Sequence, residues 1–146
     1  MAATRDGSAV SLSAEDRLDI LELLARADTA ASDRDTDAYL ALFSDDAVLD
    51  GAQGDYRGKE ALREAAGSIW PAEPPGSVHL TLNAIIDPAG EHDGEPAAVA
   101  RSVLVIVGPG PAPAIVHVAR IAQQVQRSGG TWRIVRRSVG ASGEAS

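Results

Sequence analysis

Two residues of this 146-residue chain combine chemical reactivity with a position that could face an interior: His79 and Asp28. His79 lies in the run VHLTLNAII, where alternation puts His79, Thr81, Asn83 and Ile85 on one face and Leu80, Leu82, Ala84 and Ile86 on the other. Asp28 lies in a helical run. At about 100° per residue, Leu18, Leu21, Leu24, Ala25, Asp28 and Ala31 share a face, opposite Glu15, Asp19, Glu22, Arg26, Thr29 and Asp33. A carboxylate in the middle of an apolar stripe needs a partner, because an unpaired buried charge is costly. Placed beside an imidazole, it would hold one ring tautomer and favour the protonated form, giving a general acid or base near neutral pH. The plainer alternative makes His79 a satisfied core histidine and leaves Asp28 to cap backbone or bind an arginine.

Asn83, the only asparagine, shares the His79 face, and with Tyr56, Trp70 and His117 it could orient a ligand in an apolar pocket. Ser32 stands one helical turn after Asp28 on the same face, and Asp50 ends the first apolar strand. His92, between Glu91 and Asp93 in a turn, has the wrong surroundings for a closed metal site. No metal or cofactor is expected. There is neither a phosphate-binding glycine loop with its lysine nor a serine nucleophile elbow.

These groups must be positioned by the elements around them. Ser13 starts a helix to about Ser32, with Glu15 and Asp16 in its first turn. DTDAYLALFSDDAVLD, Asp35 to Asp50, reads as a short helix with Leu40, Leu42 and Phe43 inward, stopped at Ser44 to Asp46 and continuing as a strand. Asp50 to Asp55 is then a turn, and Lys59 to Ile69 a third helix ended by Trp70 and three prolines. Strands follow at Val78 to Asp87, Ala97 to Val107, Ile115 to Arg127 and Thr131 to Ser138, with turns at Pro88 to Glu95 and Ser128 to Gly130. Helices followed by long strands mean α+β.

In order, the motifs DTDAYLALFSDDAV, YRGKEAL, HLTLN and GTWRI resemble the SnoaL-like polyketide cyclase branch of the nuclear-transport-factor-like superfamily, relatives of scytalone dehydratase and ketosteroid isomerase. The resemblance spans most of Leu12 to Val139. It implies a cone-shaped, curved, mixed and mainly antiparallel sheet wrapped around about three N-terminal helices, enclosing a pocket. It also implies a His on this strand and a carboxylate from the long helix as acid and base. His79 matches that histidine, but the family's Asp falls on Ser32 and its Tyr on Ala27, so Asp28 would have to supply the carboxylate from a displaced position; Asp33 is the neighbouring candidate. The implied function is a cofactor-independent cyclase, dehydratase or isomerase acting on a small hydrophobic or polyketide-like compound. Two alternatives stay open: a non-catalytic binding or dimerisation module of the same fold, and an epoxide hydrolase resembling the limonene enzyme, whose Asp-Arg-Asp set Arg101 and Asp50 would have to join.

Bulk properties narrow the partners. A net charge of -8 argues against nucleic acid and anionic membrane, since phosphate contacts need clustered Lys and Arg. The one basic cluster, Arg133, Arg136 and Arg137, reads as an exposed strand end. Cysteine is absent, which excludes disulfides and thiolate chemistry. No apolar run reaches the roughly 20 residues that cross a bilayer, so a cytoplasmic protein is expected. One domain, 11–139, lies between a flexible N-terminus, 1–10, and a flexible tail, 140–146. The sheet face carrying Ala122, Gln124 and Gln126 suits a homodimer.

Overall fold

The computed structural model describes residues 11–51 and 54–140. The N-terminus and the tail expected to be flexible lie outside those residues, except Gly140, which closes the last strand.

The first helix, α1 (Ala14–Ser32), begins with a reciprocal cap: the Asp16 amide donates to Ser13 Oγ at 2.9 Å, and the Ser13 amide donates to the Asp16 carboxylate at 3.3 Å. It ends where Arg34 turns left-handed at φ 58°. Its buried stripe is Asp16, Ile20, Leu23, Leu24, Ala27, Ala30 and Ala31. This corrects the face read from the sequence: Leu18 and Leu21 are 66% and 43% exposed. The buried stripe joins the large Ile20, Leu23 and Leu24 to the small Ala27, Ala30 and Ala31.

The organising stretch folds as α2 (Thr36–Leu40), capped by the Asp35 side chain, followed by β1 (Phe43–Gly51). Phe43 opens the strand instead of ending the helix, and it is fully buried. Ser44 to Asp46 therefore lie within the strand. The expected turn after Asp50 is a hairpin to β2 (Gly54–Arg57), leading to α3 (Lys59–Ile69) and a 3-10 turn, Trp70–Ala72. Tyr39 joins the two halves of this layer, its ring 4.9 Å from Phe43 and 5.2 Å, edge-on, from Trp70.

Four long strands complete a six-stranded sheet: β3 (Val78–His92), β4 (Glu95–Gly108), β5 (Ala114–Ser128) and β6 (Thr131–Gly140). The order is β2-β1-β6-β5-β4-β3, antiparallel except for the parallel β1–β6 pair. The turn expected over Pro88 to Glu95 is mostly strand. Pro88 is tolerated because β3 is an edge strand, and the chain reverses only at Asp93-Gly94, both at positive φ. His92 is exposed there, as the sequence implies.

Register shifts bend the sheet into an open cone, and two of them decide which side chains face inward. In β3 the pairing slips between Leu82 and Ile85, so Ile86 is buried on the same side as His79 despite the odd spacing. Asn83, at φ 59° in that bulge, is exposed. In β6 the shift falls at Val135, so that after Trp132 and Ile134 the next buried residue is Arg137.

Candidate functional site

A cavity of about 270 Å³ opens between the inner face of the sheet and the α2–α3 layer. Its apolar wall includes Tyr39, Leu62, Ile69, Trp70, Leu104 and Ile106. Its polar groups are Asp50, Tyr56, Glu73, His79, His117 and Arg137. A mostly apolar hollow with a few convergent polar groups suits a small organic ligand.

His79 is held at two points. Its backbone amide donates to Ser32 Oγ at 2.9 Å, and that hydroxyl donates to the Asp28 carbonyl at 2.8 Å, so one side chain ties the end of α1 to an edge strand. Its ring Nε2 lies 2.8 Å from Glu73 Oε1. Glu73 follows the 3-10 turn, and its carboxylate is also 3.2 Å from the Arg34 guanidinium. Arg34 in turn donates to the Ala31 carbonyl at 2.8 Å. Arg34, Glu73 and His79 thus form a chain from the end of α1 to the cavity. With Glu73 ionised, Nε2 carries the proton it donates, and the neutral ring keeps a lone pair on Nδ1. That is the arrangement of a base whose imidazolium would be stabilised by a fixed carboxylate.

Of the residues singled out from the sequence, His79, Tyr56, Trp70, Asp50 and His117 line the cavity. His117 stands at its rim, on an exposed stretch of β5. Asp50 is bound by Arg136, so its charge is already compensated. Asp28 and Ser32 instead line a separate hollow of about 420 Å³ between α1 and β3, with Leu21, Leu24, Leu80 and Leu82; His79 borders both spaces. No hydrogen bond or ion pair joins Asp28 to His79, and Asp33 is exposed. Asn83 is not among the lining residues of either hollow. Arg101 pairs at 3.6 Å with Asp87 on an exposed stretch, away from Asp50.

Three participants were not singled out from the sequence as site residues. Glu73 had a readable signal: it is the single acid in WPAEPPG, a loop fixed by prolines and six residues before His79. Arg34 had a weaker one, its place at the end of the helix. Arg137 was grouped with an exposed strand end, and the structure corrects that: it is 6% exposed and faces the cavity.

Comparison with known proteins agrees with the fold. The model of the SnoaL-like domain matches residues 12–138. Comparison with curated proteins returns no match. Among solved structures, a protein of unknown function with a cystatin-like fold from Nostoc punctiforme is 30% identical with a TM-score of 0.81, over 92% of this chain and 97% of that one. An NTF2-like protein from Novosphingobium aromaticivorans is 22% identical with a TM-score of 0.73, covering 90% and 85% of the two chains. A protein from the same organism provisionally named a scytalone dehydratase is 16% identical with a TM-score of 0.72, covering 90% and 96%. These last two show the fold alone. With the family model spanning nearly all the described residues, the chain belongs to the SnoaL-like domain family.

Proposed function

We propose that this protein catalyses proton transfer on a small, mainly apolar carbonyl compound, in a cyclisation, dehydration or isomerisation, with His79 as the acid/base and Glu73 as its orienting carboxylate. The observation that carries this reading is the 2.8 Å contact between two largely buried side chains at the wall of an open apolar cavity. A histidine that only filled the core would not need a carboxylate whose same oxygen, Oε1, is also met by an arginine. Tyr56, which lines the same cavity from the strand at the other end of the sheet order, is the group to steady an enolate-like oxygen.

Deuterium uptake tests this without knowledge of the natural substrate. Ketones such as 2-tetralone, first shown by calorimetry to bind, are incubated with the protein in D2O and followed by proton NMR. Exchange at the carbon beside the carbonyl is expected above the buffer rate, and His79→Gln is expected to reduce the catalysed part by roughly 10²–10⁴. Equal exchange by wild type and His79→Gln would overturn the assignment.

A homodimer also fits the outer sheet face. Leu80, Val105 and Val118 are cross-strand neighbours there, flanked by Leu82 and Val78, and Leu80, Leu82, Val78 and Val118 are each 39–45% exposed. This patch, rather than Ala122 to Gln126, is where a second copy would bury most apolar area. Sedimentation velocity is expected to give a dimer that Leu80→Glu dissociates; a monomeric wild type would remove the idea.

A further inference from the structure

Among the described residues, Arg137 is the only cation that lines the cavity, and none of them gives it an acidic partner. The hydrogen bond it makes is to an amide: Nη1 donates to Gln123 Oε1 at 3.1 Å. Gln123 is its register neighbour on β5, is 1% exposed, and has an Nε2 group without a partner. The nearby acids are committed elsewhere, Asp50 to Arg136 and Glu73 to His79 and Arg34. A buried charge is retained when something of opposite sign meets it.

We infer that Arg137 is a ligand-binding residue that recognises a carboxylate, and that the natural substrate is a carboxylic acid of one or two rings. This rests on the reading of the cavity as the site of proton transfer and adds the substrate's charge to it. The fork of guanidinium donors matches the two oxygens of a carboxylate, and Gln123 holds the fork by occupying one donor. The size follows from the cavity, whose volume lies below the roughly 300–1,000 Å³ of sites for drug-sized ligands. Anchored at Arg137, the ring body lies on the apolar wall, within the same enclosure as His79.

Calorimetry with a matched pair of probes, 2-naphthoate and 2-naphthamide, tests the inference at neutral pH. The wild-type protein is expected to bind the carboxylate about tenfold or more tightly than the amide. Arg137→Met should erase that preference. Because removing a core side chain could disturb folding, Gln123→Glu provides the second arm: it supplies Arg137 with an internal carboxylate, should keep or raise the melting temperature, and should abolish the preference while leaving amide binding. Equal binding of both probes by wild type would overturn the carboxylate inference and leave the cavity reading standing. Binding of neither would overturn both. A preference that survives Gln123→Glu would place the anion elsewhere.

Discussion

Replacing Asp16 with alanine is expected to lower the melting temperature by roughly 5–15 °C. Asp16 is buried at the start of α1 and serves three elements at once. Its carboxylate accepts from the Ser13 amide, from Arg127 Nη1 at 2.9 Å on β5, and from the Trp132 indole at 3.2 Å on β6. Losing a helix cap costs about 0.5–2 kcal/mol, and losing charge-assisted hydrogen bonds about 1.5–3 kcal/mol, so a total near 2–4 kcal/mol is reasonable. Arg127 keeps a second acid, Glu95 at 3.2 Å, which limits the loss. The effect has a pH signature. Burial pushes the Asp16 carboxyl up, but the bonds from Ser13 and Trp132 and the charge of Arg127 outweigh it and hold the group below its ordinary value of 3.8. A depressed carboxylate contributes stability that is present above the unfolded value and lost as pH falls through the folded one. The gap between wild type and Asp16→Asn should therefore be widest at neutral pH and close in acid below about pH 4, as followed by thermal unfolding. A gap unchanged down to pH 3 would mean that Asp16 acts through packing alone.

The fold and half of the site could be read from the sequence, and the reasons are local. The capping signal at Ser13, the proline stop after Ile69, the glycine hairpin before Thr131 and the four strand runs each depend on neighbours in the chain, and each appears within a few residues of the expected place except the end of β3, which runs on to His92. What alternation could not reveal was the bulges. One extra residue near Asn83 turned the single asparagine out of the pocket, and one at Val135 turned Arg137 into it. Helical phase failed for a related reason. The spacing of Leu18, Leu21 and Leu24 points to one face of α1, whereas the buried stripe runs through Ile20, Leu23, Ala27 and Ala30, which leaves Asp28 lining the outer hollow. Helical spacing points to a carboxylate on α1, whereas the acid beside His79 is Glu73, on a loop; the helix position keeps only Ser32, whose hydroxyl holds the strand that carries His79.

The proposed role of Glu73 in place of a helix carboxylate has a direct test. In the deuterium-uptake assay, Glu73→Gln is expected to slow catalysed exchange by about 10²-fold or more, whereas Asp28→Asn should change it by no more than about twofold. The glutamine amide can still accept a hydrogen bond from Nε2, so the ring stays in place; what disappears is the charge that would stabilise the imidazolium formed when Nδ1 takes a proton. Binding of 2-tetralone should therefore be nearly unchanged in Glu73→Gln, putting the loss in the chemical step. Arg34→Gln gives a second check: it leaves Glu73 and His79 in contact but removes the ion pair at 3.2 Å, and should produce a smaller fall. The Nη2 that faces Glu73 is buried and makes no hydrogen bond there, so Arg34 acts on the carboxylate through its charge alone. The reverse ranking, with Asp28→Asn crippling and Glu73→Gln mild, would return the role to the helix carboxylate and require the end of α1 to rotate during turnover. Loss of 2-tetralone binding in Glu73→Gln would instead make the acid part of the cavity's shape. Only the combination of intact binding, slowed exchange and an indifferent Asp28 fits a loop carboxylate that has taken over the helix's task.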